Sequence, residues 1–178
     1  EETLWGNNVV FESGKIYQIL ASSGSGKSTF VSILAGLRGD YNGEVKIENK
    51  KLSSFKSKDW SLWRSRSTSF VFQDLRLFPE LTALENIQLL NEIDSSQFQN
   101  DSQKLYQHFE DFGISNKIEI LCKFLSFGQQ QRVAIIRALS RKYKWLILDE
   151  PFSHLDVNNA QSAWKMITAD AKDKNAGI

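Results

Sequence analysis

The most constraining stretch of this sequence is a short apolar run that passes straight into a glycine-serine loop and then into a helix. Lys15 to Ala21 (KIYQILA) combines apolar, β-branched and aromatic residues and reads as a buried strand, with Gly14 at the turn into it. Ser22 to Ser28 is the loop. Phe30, Ile33, Leu34 and Leu37 then fall at helical spacing, and Gly36 and Gly39 end the helix. Such a unit presents the unpaired N–H groups and the positive dipole end of a helix to whatever the loop encloses.

Residues 21–28 read A-S-S-G-S-G-K-S and match the phosphate-loop pattern G-x-x-x-x-G-K-[ST] at every fixed position but the first, where Ala21 stands. Backbone N–H groups can wrap a phosphate only where no side chain intrudes, which explains Gly24 and Gly26. Ser22, Ser23, Ser25 and Thr29 complete the cradle, Lys27 has the reach for β- and γ-phosphates, and the Ser28 hydroxyl suits Mg²⁺. Further along, Asp149-Glu150 directly follows Trp145–Leu148, a continuous apolar run that reads as a buried parallel strand closed by Pro151. Ligands bind at the carboxyl ends of such strands. Asp149 is suited to hold Mg²⁺ through its water shell, and Glu150 to polarise a water for attack on phosphorus. Taken singly, these features also suit a plain Ser/Gly turn and a solvated strand end; their occurrence together carries the weight.

The remaining organisation follows from local signals. Glu44–Glu48 (EVKIE) alternates and reads as an exposed-face strand before a turn at Asn49-Lys50, and Ser69–Gln73 (SFVFQ) reads as another strand. From Thr82 to about Arg141 the signals are mostly helical, broken by a polar surface loop over Asp94–Ser102. Tyr106, Phe109 and Phe112 are expected on one helical face ending at Gly113, and Ala160–Ala171 as a further helix. Ser126 followed by Gln129 is a capping box that opens a second helix with an anion-ready start.

Composition narrows the function. A formal net charge of +1 gives no global field toward nucleic acid or anionic lipid. Cys122 is the single cysteine, so no internal disulfide is possible, and His108 and His154 as the only histidines argue against a Cys/His zinc site. The 178 residues suit one domain. No apolar run approaches the roughly 18 residues of a membrane helix. No leader is expected at the start, so any membrane link is expected to run through a partner. Both ends, Glu1 and Ile178, are read as candidate cut points.

Four motifs in one order resemble the ABC (ATP-binding cassette) ATPase family: the phosphate loop, FVFQDLRLFPELTALENI with Gln73, LSFGQQQRVAIIRAL, and WLILDEPFSHLD. The wording around Gln73 is most similar to the ATPases of the lipoprotein-release and macrolide-efflux type. The resemblance runs from about Gly14 to Asp156. It implies an α/β fold: a P-loop NTPase core with a mostly parallel sheet, a small antiparallel β portion near 1–60 and an inserted helical subdomain near 82–140, all within one nucleotide-binding domain over 1–178. It implies hydrolysis of ATP with Mg²⁺, with Gln73 as a catalytic and Mg²⁺-sensing residue beside Glu150. It also implies a head-to-tail homodimer, in which Ser126, Gly128 and Gln129 meet the ATP held by the other subunit. Integral membrane permease subunits are the further partners, docked near Gln73–Asn86, with the chain cytoplasmic and peripheral on the inner face of the cell membrane. No nucleic-acid partner is expected.

Two departures from the family pattern bear on activity. Phe127 stands where the family has its first signature glycine, and neither His108 nor His154 occupies the place of the switch histidine, which the family carries beyond the position of Ile178. Reduced rather than absent hydrolysis is expected from Phe127. Trp5 is read as packing rather than as an adenine-stacking residue, and His154 as a spacer in the turn Ser153–Asp156. A soluble ABC-type ATPase of DNA repair or translation, and a catalytically weak nucleotide-gated interaction module, stand as alternative readings.

Overall fold

The computed structural model describes residues 5–22, 24–93 and 102–178; the predicted polar loop 94–102 therefore lies almost wholly outside the described residues. β3 (Thr68–Val71) and β4 (Trp145–Leu148) pair in parallel, in register from Thr68↔Trp145 to Val71↔Leu148. The chain's last residues extend this order. Leu146 N donates to Gly177 O and Gly177 N to Lys144 O, each at 2.9 Å. Beyond them, Tyr17 N donates to Ile178 O at 2.9 Å, and Ile178 N to Lys15 O at 3.0 Å. The lateral order is thus 68–71, 145–148, 177–178, 15–17.

The expected buried strand over Lys15–Ala21 does not form as a strand. Those two bonds to Ile178 are its ladder, and among the described residues no pairing continues past Tyr17. Ile16 and Leu20 are 53% and 80% exposed. A parallel strand buries its side chains only when neighbours pair both edges and layers cover both faces. The apolar run was legible, but its cover is local to the few residues beside Ile178.

α1 (Lys27–Leu34) ends sharply. Gly36, at φ +69°, passes its N–H to Ile33 O, and Leu37 N reaches back to Ser32 O, the paired bonds of a Schellman cap. Trp60 packs against Gly36 so closely that an added Cβ would lie 2.4 Å from its ring. Trp63 Nε1 donates to Leu34 O at 2.7 Å, and Arg64 Nη1 to Ala35 O at 3.2 Å, satisfying the helix's last carbonyls. α2 (Ser57–Leu62) carries the chain toward β3. The antiparallel portion is smaller than EVKIE suggested: β1 (Lys46–Ile47) pairs with β2 (Lys50–Lys51). The turn is Glu48-Asn49, both at positive φ (47° and 67°), one residue earlier than expected. Positive φ at both central residues is the two-residue hairpin geometry that matches strand twist.

The helical segment comprises α3 (Ala83–Ile93), α4 (Ser102–Asp111) and α5 (Phe127–Leu139), followed after β4 by α6 (Val157–Asp173). α3 opens on a capping box in which Glu85 N donates to Thr82 Oγ1 and Thr82 N to Glu85 Oε2. On α4 and the residue after it the buried face is Leu105, Phe109 and Phe112, while Tyr106, expected on one face with Phe109 and Phe112, is 50% exposed. The spacing 105–109–112 holds one face, and Tyr106 lies a hundred degrees off it. α5 runs through the middle of the main apolar cluster, with Val133, Ile135, Ile136 and Leu139 at 0% exposure. That cluster joins β3, β4, α3, α4, α5 and α6 and takes no residue from α1. The main apolar cluster is thus built around α5, and α1 packs outside it, held at its C-terminal end by Trp60, Trp63 and Arg64 and at Phe30 by Trp5 and Phe11.

Candidate functional site

The phosphate loop curves at Gly24 and Gly26, whose φ values of +78° and +94° are costly for any residue with a Cβ. Gly26 caps α1 without any side-chain bond, and the first helical bond is Phe30 N to Gly26 O at 2.9 Å. The N–H groups of the first turn are thus left toward the loop. The Ser25 hydroxyl oxygen is buried and meets no hydrogen-bond partner among the described residues. Lys27 curls back across the loop, its ammonium donating to Ala21 O at 2.8 Å and Ser22 O at 3.1 Å. Ser22 and Ser28 are exposed, Thr29 is half buried, and Ser23 lies outside the described residues.

Trp5 lies against this cradle. Its indole N–H donates to Ser25 O at 3.0 Å, its ring meets Phe30 edge-on at 6.4 Å, and a Cβ on Gly26 would come within 2.9 Å of Nε1. The indole therefore fills space that only a glycine leaves open.

At the carboxyl ends of β3 and β4 the parallel register brings two other predicted residues together. Asp149 N continues the ladder to Val71 O, and its residue is buried. The next side chain, Glu150, meets Gln73, with Nε2 of the glutamine 3.5 Å from Oε2 of the carboxylate. Among the described residues no hydrogen bond or ion pair joins Asp149 or Glu150 to the phosphate loop. The structure thus forms two parts, a cradle and an acid–amide pair, without a direct bond between them.

Glu150 sits at φ +49°. A non-glycine residue there costs about 1 kcal/mol or more and persists only where its surroundings hold it. The holder is Gln131, 1% exposed on α5. Its Nε2 donates to Glu150 O at 3.2 Å, and its Oε1 accepts from His154 N at 3.1 Å. A second strained pair, Leu75 at φ +57° and Arg76 at φ +48°, follows Gln73. Arg137 holds it: Nη2 donates to Leu75 O and Nη1 to Arg76 O, both at 2.6 Å. Burial first, and then the neighbouring Arg141 charge, pull the Arg137 guanidinium down to about 10, while Cys122 and Asp74 oppose the fall. Asn86 closes the next turn by bonding Phe78 N, Phe78 O and Thr82 O. The sequence reading missed Gln131, Arg137 and Asn86 in these roles. Gln131 carried a signal, because it shares a helical face with Ile135 and Leu139, where an amide must find partners.

The third predicted group is the start of α5. Ser126 Oγ accepts from Gln129 N at 3.3 Å, and Ser126 N donates to Gln129 Oε1 at 3.0 Å. Gly128 packs on the turn after Glu150, where a Cβ would lie 2.8 Å from His154 O. Phe127 places its ring 4.2 Å from the His154 ring at 66°. Among the described residues no hydrogen bond joins Ser126, Gly128 or Gln129 to the phosphate loop of the same chain.

Comparison with known proteins agrees with this geometry. The family model described as ABC transporter matches residues 5–153. The lipoprotein-releasing system ATP-binding protein LolD of Saccharophagus degradans is 37% identical over 161 residues, covering 90% of this chain and 71% of the relative. The uncharacterized ABC transporter ATP-binding protein MJ1508 of Methanocaldococcus jannaschii is 36% identical over 163 residues, covering 90% and 71%. The putative hemin import ATP-binding protein HrtA of Staphylococcus haemolyticus is 32% identical over 174 residues, covering 98% and 78%. Among solved structures, the dimeric post-hydrolysis state of the ATP-binding cassette MJ0796 bound to ADP and Pi matches with a TM-score of 0.83 at 29% identity, covering 96% of this chain and 75% of that one.

Proposed function

We infer the work of individual residues from one premise: this chain belongs to the ABC transporter family and is an ATP-binding, ATP-hydrolysing subunit of a transporter. The P-loop NTPase fold and the ATPase activity expected from the motifs stand on the same relatives. Neither a role in DNA repair or translation nor a non-catalytic module finds support among them.

The observation that carries the residue-level reading is the Gln73–Glu150 pair at the carboxyl edge of β3 and β4. Ser22–Thr29 enclose the triphosphate, with the N–H groups of the α1 first turn and the Lys27 ammonium as donors to its oxygens. Lys27 leaves the Ala21 and Ser22 carbonyls when a phosphate arrives, a short movement of a flexible stem. The residues present also suit Mg²⁺. The Ser28 hydroxyl, the Gln73 amide oxygen and the Asp149 carboxylate are hard oxygen donors. Mg²⁺ in such sites is bound through one or two carboxylates together with substrate phosphates, which the single carboxylate of Asp149 beside the triphosphate would match. Mg²⁺ would neutralise charge on the β- and γ-oxygens. Glu150 accepts a proton from the water that attacks γ-phosphorus, and Gln73 orients the same water through its contact with the carboxylate.

Among the described residues no hydrogen bond joins Ser126, Gly128 or Gln129 to the chain's own cradle, and in this reading they serve the ATP of a second, head-to-tail copy. The helix start they form supplies free N–H groups to that γ-phosphate. The permease subunits dock beside the turns between Gln73 and Asn86. No helix among the described residues is long and apolar enough to cross a membrane, and in this reading the chain is held at the inner face of the membrane by those subunits. The relatives named for a cargo differ in it, lipoprotein in one and hemin in another, as follows if cargo meets the membrane subunits and not the ATPase.

Two substitutions test the reading. Lys27→Ala is expected to abolish Mg-ATP binding at micromolar nucleotide in a calorimetric titration, and unchanged affinity removes Lys27 from the site. Glu150→Gln is expected to stop phosphate release while retaining ATP; equal release from both forms of the full chain sinks the catalytic assignment.

A further inference from the structure

We propose that Gln131 is a positioning residue for hydrolysis, holding the Glu150 backbone in the conformation that aims its carboxylate. The inference rests on the assignment of Glu150 as the base and names the part that sets its direction.

The geometry is specific. Glu150 is one of two non-glycine positions in the second half of the chain with positive φ among the described residues, the other being Asn175. Its side chain points to Gln73 only while that φ is kept, because φ sets where Cβ leaves the backbone. The local hydrogen bonding of the turn after Glu150 is weak: Ser153 N reaches Glu150 O at 3.3 Å. The remaining hold on that carbonyl is the Gln131 amide at 3.2 Å, with the Ser153 hydroxyl 3.5 Å from the same nitrogen. The other end of the amide accepts His154 N. One side chain thus spans both ends of the turn 150–154.

Gln131 is itself enclosed and bonded at both ends of its amide. It is 1% exposed and sits on α5, whose neighbours Val133, Ala134 and Ile135 are fully buried. A buried amide with both ends bonded has one orientation, since flipping it would set oxygen against Glu150 O and nitrogen against His154 N. The signature end of α5 lies one turn away, where Gly128 and Phe127 touch His154. Anything that shifts the start of α5 therefore shifts the frame from which Glu150 is hung. The helix that Ser126 caps is thus the one whose Gln131 holds the Glu150 carbonyl.

The test uses Gln131→Glu and Gln131→Met in the full chain. The glutamate keeps an acceptor for His154 N and puts a second acceptor against Glu150 O. The methionine keeps the volume and removes both bonds. Expected results are a fall in kcat of tenfold or more in each, a KM for ATP within twofold of wild type, and an unchanged Kd for ATP by calorimetry. In wild type, the Gln131 side-chain amide protons are expected to exchange with solvent at least a hundredfold more slowly than those of an exposed glutamine. A structural role alone would lower the folded fraction and leave kcat per folded molecule intact; that result overturns the proposal, as does fast amide exchange. Should Gln131→Glu fail to fold, Gln131→Met and the exchange measurement decide. A wild type that releases no phosphate overturns the assignment of Glu150 itself, whereas active wild type with equally active variants overturns the positioning role alone.

Discussion

Replacing Arg137 by methionine removes the guanidinium fork while keeping an apolar stem of similar length, so the result reads the two hydrogen bonds and little else. Both bonds are 2.6 Å, but their settings differ. The one to Arg76 O is exposed, so water can take the place of the donor, and its loss is worth about 1 kcal/mol. The one to Leu75 O is half buried and charge-assisted. Its loss leaves a carbonyl without an easy substitute, which costs about 2 kcal/mol. Leu75 and Arg76 are also both at positive φ, where Leu75 N on Phe72 O, Arg76 N on Asp74 O, the Arg76–Asp74 ion pair and the Arg76 guanidinium over the Phe72 ring hold them besides Arg137. The expected loss is therefore about 3 kcal/mol, roughly a hundredfold in the folded-to-unfolded ratio. Equilibrium urea unfolding followed by tryptophan fluorescence measures it. Arg137→Lys keeps the charge without the planar fork and should recover about half. A loss under about 1 kcal/mol for the methionine variant would show that solvent satisfies both carbonyls, and that the turn after Gln73 stands without its pin.

Two other groups give checks that need no nucleotide. Burial pushes the Cys122 thiol up to about 11, against a smaller opposing pull from Arg137, so a disulfide-exchange reagent at pH 8 should leave it unlabelled in the native protein and label it in urea; rapid native labelling contradicts its burial. His108 is buried and held below its ordinary 6.5, chiefly by burial, with Lys104 and Lys174 lowering it further and Asp170 and Asp111 opposing. The unfolded chain then binds a proton that the folded chain refuses, so this contribution to stability is complete above about 6.5 and declines as pH falls. His108→Gln should flatten the decline between pH 7 and 5, and an unchanged slope would assign it to other groups.

What was legible in the sequence divides by how local the cause is. The capping box at Ser126 and Gln129, the run Trp145–Leu148 and the helix stop at Gly36 depend on residues a few positions apart, and all three are present. Lys15–Ala21 depends on neighbours far along the chain, and its apolar run could not say that, among the described residues, Ile178 alone would pair with it. Tyr106 and Leu105 differ by one position, and a face choice that depends on where α5 and α6 lie is not contained in a four-residue spacing. For the site, glycines and acids announced themselves by type. The residues that hold them did not, because Gln131 and Arg137 act by reaching backbone carbonyls at 150 and at 75–76, and a carbonyl has no letter in a sequence.

The same distinction explains which family positions this chain alters. Ala21 and Phe127 replace glycines, and neither adopts positive φ. Phe127 begins α5 with its ring turned onto His154, so a side chain there meets an imidazole rather than backbone. The retained glycines carry constraints that no side chain meets. Gly24 and Gly26 lie at φ +78° and +94°. Gly128 is helical, yet a Cβ would come within 2.8 Å of the His154 carbonyl oxygen. That carbonyl belongs to the turn that Gln131 ties to Glu150, so adding a methyl group at 128 would push on the base as well as on the helix start. The glycines at 24, 26 and 128 remain where a side chain would need a positive φ or would strike backbone, whereas Ala21 and Phe127 stand where φ is not positive.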